Sequence, residues 1–168
     1  MGMQREMRRK RQALSEAESL TTLQEATAGV LAVDGDEGYP YAVPLSYAYE
    51  DGKLYFHSAK TGHKLDAIAR NDKASFCVIA EDHIIQETFT THFRSAIAFG
   101  RVRVLTDPAE RRHGLMCLAQ KYSPDFIAQA DSEIAGALER TAVLEMDIEE
   151  VTGKAAIEII KQRGGAAD

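Results

Sequence analysis

The chain has 168 residues, 45% of them hydrophobic and 27% charged, enough for one domain burying roughly 70% of the surface its unfolded form exposes. This composition excludes a disordered, collagen-like or coiled-coil chain, and no apolar run approaches the roughly 20 residues of a membrane span. The net charge of -6 argues against a general nucleic-acid binder, and no apolar stretch follows the basic residues Arg5, Arg8, Arg9, Lys10 and Arg11 as a secretory signal requires. A single domain over 1–168 is therefore expected. It should have a solvated basic arm over 1–12, no nucleic-acid or membrane partner, and a cytoplasmic location.

Along the chain, Ser15 and Glu18 have capping-box spacing, with Leu20, Leu23 and Ala26 following at helical intervals, which predicts a first helix. Residues 29–33 read as a strand, and residues 39–49 as a long strand with two unlike faces. Tyr39, Tyr41, Val43, Leu45, Tyr47 and Tyr49 lie on one side; Pro40, Ala42, Pro44, Ser46 and Ala48 lie on the other. Glu50-Asp51-Gly52-Lys53 is a hairpin signal before a strand over 54–58. A short helix over 62–71 should turn Leu65, Ile68 and Ala69 inward. A strand over 74–80, a polar connection over 81–92 and a strand over 94–105 follow, with Gly100 marking a bulge or bend. Asp107-Pro108-Ala109-Glu110 supplies an N-cap, a proline at N1 and an acid at N3 for a helix to about Tyr122. Short helices from Ser123-Pro124 and over 132–140, strands over 142–148 and 155–161, and a frayed tail over 162–168 complete the chain. There is no βαβ alternation, so the expected fold is mainly β with flanking helices: a six-stranded antiparallel barrel, closed or partly closed.

The segment His57-Ser58-Ala59-Lys60-Thr61-Gly62-His63-Lys64-Leu65 is the most informative chemically. A strand ends, a glycine turn follows, and a helix opens on two basic side chains, where the macrodipole prefers acids. A phosphate would answer that placement by gathering free N–H groups, the Lys64 ammonium and the Ser58 or Thr61 hydroxyl; an exposed, merely solvated turn is the alternative. Similarly, the small side chains around Pro40 and Pro44 fit either the floor of a flat ligand or an ordinary edge strand. Cys77 and Cys117 make no CxxC pair and read as buried thiols. His57, His63, His83, His92 and His113 contain neither HExxH nor a His pair at i, i+4, so no metal is expected. GxSxG and GxGxxG are both absent.

Taken in order, Tyr39-Pro40-Tyr41-Ala42-Val43-Pro44-Leu45-Ser46-Tyr47, Tyr55-Phe56-His57-Ser58-Ala59, Gly62-His63-Lys64, Phe93-Arg94-Ser95 and Phe99-Gly100-Arg101-Val102 resemble one known group. That group is the pyridoxamine 5′-phosphate oxidase-like superfamily of FMN-binding split barrels, and within it the nitroimidazole-resistance group. The resemblance runs from Met7 to about Lys154 and implies a homodimer with FMN between subunits. Carried over by position, Tyr41, Ala42, Val43, Pro44, Leu45 and Ser46 would pass the isoalloxazine. His57 and Ser58 would approach the ribityl chain and phosphate, and His63 and Lys64 would hold the phosphate. Ser95 stands where relatives with oxidase activity place a glutamine, and the basic residues for a phosphorylated vitamin B6 substrate are not evident. The implied activity is reduction of small organic acceptors such as nitroimidazoles. A non-catalytic flavin protein or a haem-binding relative is the alternative, and an imidazole such as His57 could serve as proton donor to the acceptor.

Overall fold

The computed structural model describes residues 5–164. Of the terminal expectations, those on residues 1–4 and 165–168 lie outside the described residues. In the rest of the basic arm Arg5, Arg8, Arg9, Lys10 and Arg11 are all exposed, as expected of a solvated segment; Lys10–Gln12 forms a 3₁₀ turn, and just beyond the arm the Leu14 N–H donates to the Gly153 carbonyl at 3.0 Å.

The capping box forms as predicted. The Glu18 N–H donates to Ser15 Oγ at 3.3 Å and the Ser15 N–H donates to the Glu18 carboxylate at 2.8 Å, opening α1 (Glu16–Glu25). β1 (Gly29–Asp34) pairs with β2 (Pro40–Leu45) and places the prolines at Pro40 and Pro44 on an edge strand. The expected single strand over 39–49 is broken. Ser46 and Tyr47 leave the ladder, and β3 (Ala48–Glu50) lies at the opposite edge of the sheet. The cause is distant: the Tyr47 N–H donates to the Tyr122 hydroxyl at 2.8 Å instead of to a neighbouring strand. Asp51 and Gly52 take φ of 47° and 79°, the two-residue hairpin turn predicted, and lead into β4 (Lys53–Ala59).

After α2 (His63–Arg70), β5 (Lys73–Ile85) and β6 (Thr90–Val104) form a long hairpin. The polar stretch over 81–92 is thus mostly strand, with Glu81 opposite Arg94 and His83 opposite His92. Solvent on both sides of this arm removes the alternation that would have marked it. α3 (Pro108–Tyr122) starts where expected, the Glu110 N–H donating to Asp107 at 3.0 Å. A 3₁₀ turn (Pro124–Gln129) and α4 (Ala130–Ala137) follow. β7 (Thr141–Ala155) runs on unbroken past 148, and the residues expected to form a last strand over 155–161 instead enter α5 (Ile157–Gly164), which buries Ile159 beside Ala155 and Ala156.

The sheet therefore has seven antiparallel strands, not six, in the order β2-β1-β5-β6-β7-β4-β3, and it is open at β2 and β3. One face of the sheet holds the main core, with Leu31, Tyr47, Phe56, Phe76, Val78 and Met146 fully buried. Leu23 of α1 joins this core, as do Ala67 and Ile68 of α2; Ala69, expected inward, is exposed. A second core lies where α3 and α4 pack on Tyr55 and Val143. On the outward face of β1 and β5, Val30 and Ile79 remain 38% and 64% exposed.

Candidate functional site

The candidate anion site is built at the start of α2. Gly62 occupies the N-cap with φ of 141°, a conformation suited to glycine, and no side chain caps the helix. The Leu65 and Asp66 N–H groups donate to the Gly62 carbonyl at 3.0 and 3.2 Å, which leaves the N–H groups of His63 and Lys64 available to a ligand. The His63 ring stacks on Tyr41 of β2, with centroids 4.0 Å apart and planes inclined by 28°. Its Nε2 is buried and has no hydrogen-bond partner. The nearest charge is the Asp36 carboxylate, 3.6 Å away, which Arg70 holds at 2.9 Å. Lys64 is half-buried and makes no ion pair among the described residues. Ser58, at the end of β4, donates its hydroxyl to the Ala59 carbonyl at 2.8 Å.

Not all the sequence-predicted residues converge here. Tyr41, Val43 and Leu45 are half-buried against the main core, while Ala42, Pro44 and the crossing residue Ser46 are exposed. The small face is therefore an exposed face of an edge strand. His57 is also exposed, on the opposite side of β4 from the buried Phe56 and from Ser58, and does not point into the same space as His63. Ser95 is half-buried on β6, three strand spacings or about 14 Å from β2 within one subunit. Asp36 and Arg70, which frame His63, carried no sequence signal because the turn and the helix that bring them together are 34 residues apart.

Of the two cysteines, Cys117 is buried as expected and Cys77 only half-buried; both are free. Burial pushes the Cys77 thiol up, and burial together with the Glu50 carboxylate pushes Cys117 up to about 12. Burial lowers Lys121 to about 8; its ammonium sits 3.6 Å over the Tyr47 ring and donates to the Ala26 carbonyl at 2.7 Å.

Among solved structures, the fold matches a Bacteroides thetaiotaomicron protein designated a candidate 5-nitroimidazole antibiotic resistance protein. The TM-score is 0.71 at 24% identity, over 84% of this chain and 85% of that one. A FAD-binding protein of Mesorhizobium loti matches at 27% identity and TM-score 0.59, over 86% of this chain and 96% of that one. A FAD and haem binding protein of Mycobacterium smegmatis matches at 23% identity and TM-score 0.70, over 87% and 73%. No curated protein matches the sequence. A family model described as pyridoxamine 5′-phosphate oxidase matches residues 15–155, so the chain belongs to that family, as the ordered segments had indicated.

Proposed function

We propose that the chain binds FMN through its phosphate at the start of α2 and acts as a reductase of small organic acceptors, nitroimidazoles among them. The observation that carries this reading is the buried, unpartnered Nε2 of His63 beside an uncapped helix start and the unpaired Lys64. A phosphate fits that donor set, provided His63 turns from Asp36 toward it. The bound flavin would supply the redox chemistry, while the chain's residues hold it, orient it and exclude water. Tyr41, half-buried on β2, would form one wall of the cleft. The partly exposed outward face carrying Val30 and Ile79 supports a homodimer, in which a second copy would cover that face.

Denaturing the purified protein and chromatographing what it releases tests the central claim. FMN at about one per chain is the expected result, with light scattering of the native sample giving a dimer. FAD in place of FMN would overturn the single-phosphate reading, and a haem spectrum would overturn flavin binding altogether.

Lys64→Ala should weaken flavin binding by about 1.5–3 kcal/mol, the range for a hydrogen bond to a charged group, or roughly 10- to 100-fold in Kd. Unchanged affinity in a fluorescence titration would place the phosphate elsewhere.

We further propose His57 as a proton donor to the acceptor, approached from the outward face of β4. In His57→Gln, flavin content and dimer should be retained while nitroimidazole turnover per bound flavin falls. Unaltered turnover per flavin would remove the assignment.

A further inference from the structure

A second cluster of ligand-type side chains lies on the other side of the sheet, built from β3 and α3. Glu50 ends β3 just before the Asp51-Gly52 turn, which fixes its backbone. His113 and Cys117 are four residues apart on α3, one helical turn, and so present their side chains on one face. A carboxylate oxygen of Glu50, Nε2 of His113 and Sγ of Cys117 lie within 4.8 Å of one another. Cys117 Sγ is 3.6 Å from both the Glu50 carboxylate and His113 Nε2, and His113 contacts Glu50 directly.

We propose that Glu50, His113 and Cys117 form a binding site for a divalent cation of the zinc type. The spacing supports it quantitatively. With Zn–S near 2.3 Å and Zn–N or Zn–O near 2.0–2.1 Å, tetrahedral coordination puts a ligating sulfur about 3.5 Å from each of the other ligand atoms. Both sulfur distances match this without movement of the backbone, and only the direct His113–Glu50 contact has to widen. The mixture of thiolate, imidazole and carboxylate suits zinc and disfavours magnesium and calcium, which take oxygen ligands.

Neighbouring residues make the arrangement more than a surface ion pair. The His113 ring packs edge-on against the buried Tyr55, with centroids 5.5 Å apart and planes at 85°, which limits its rotation. A cavity of about 280 Å³ adjoins the cluster, lined by Glu50 and Cys117 together with Gln24, Tyr49, Gln120 and Lys121. It borders two of the three ligands and would give a water access to the ion as a fourth ligand. No residue is shared with the proposed flavin site, so the inference stands independently of that reading. The sequence excluded a His pair at i, i+4; the i+4 partner of His113 is a cysteine.

The test uses the full chain without a metal-binding tag, treated with a chelator and dialysed. Titration with Zn²⁺ against a chromophoric chelator should give one ion per chain. Co²⁺ should give a thiolate-to-cobalt charge-transfer band in the near ultraviolet together with intense tetrahedral ligand-field bands. Cys117→Ser should abolish the charge-transfer band, and His113→Ala should weaken Zn²⁺ binding by about 100-fold. His113 is exposed, so its replacement leaves the fold intact, which circular dichroism and thermal unfolding will verify. Failure of Zn²⁺ to bind, or binding of equal strength to the wild type and both variants, would overturn the proposal.

Discussion

Phe76→Ala should destabilise the protein by about 3–5 kcal/mol, against a total stability of about 5–15 kcal/mol for a domain of ordinary size. Phe76 is fully buried in the main core. Its ring meets Tyr47 edge-on at 4.7 Å and Phe56 at 5.0 Å, so truncation removes two aromatic contacts as well as buried area. The surroundings have little freedom to collapse into the space. Tyr47 is tied by its hydroxyl to the Leu23 carbonyl, and Phe56 lies on a strand paired on both sides of its course with β3 and β7. Gly29 is part of the same fit, since a Cβ there would stand 2.4 Å from the Phe76 ring. Equilibrium urea unfolding measures the loss. A change below about 1 kcal/mol would show that these rings do not form the packed centre of the core.

Gly100→Ala should cost about 3 kcal/mol, the upper part of the range for overpacking, or roughly 6–12 °C in Tm. The obstacle is backbone. A Cβ at position 100 would lie 2.0 Å from the Asp147 carbonyl oxygen and 3.2 Å from Ile148 Cα. β6 and β7 slip register at this point, with Phe99 opposite Glu150 and Gly100 opposite Ile148, and the close approach is what the bulge requires. Gly136→Ala in α4 is the control. Nothing lies within 4 Å of a Cβ there, and the helix should gain about 0.4–1 kcal/mol. Thermal unfolding of the two variants side by side should move Tm in opposite directions; a Gly100→Ala protein as stable as wild type would mean that the two strands do not approach this closely.

What was legible in the sequence was local. The Ser15–Glu18 box, the Asp107-Pro108 start, the Asp51-Gly52 turn and the Gly100 bulge each depend on residues next to them, and each is where the pattern put it. The break at Ser46-Tyr47 was not legible, because the group that satisfies the Tyr47 backbone lies 75 residues away. The segment after Ala155 misled for another reason. Isoleucines at 157, 159 and 160 suit a strand by their branching, yet in the helix Ile159 and Ile160 pack on a small satellite core. At the candidate site the cationic helix start at His63 and Lys64 was readable from the glycine turn and the charge placement. The stacking of His63 on Tyr41 was not. Parity showed that His57 faces away from Leu54 and Phe56, on the side of Tyr55, but not that α3 and α4 cover Tyr55 and leave His57 exposed.

The Tyr122 hydroxyl does more than end a helix. It accepts from the Tyr47 N–H and lies 2.9 Å from the Tyr47 carbonyl and 2.7 Å from the Thr27 carbonyl, donating to one of them at a time. One side chain at the end of α3 thus holds both the crossing between the two sheet edges and the entry to β1, and Lys121 beside it grips Ala26. Those contacts close loops of 75 to 95 residues. The entropy of such closure is met most readily after much of the chain has been ordered, so this seam is expected to form late in folding. β2 and β3 are open edges even in the finished sheet, and a nascent or stalled polypeptide, in which α3 does not yet hold the crossing between them, is most prone to mispairing there.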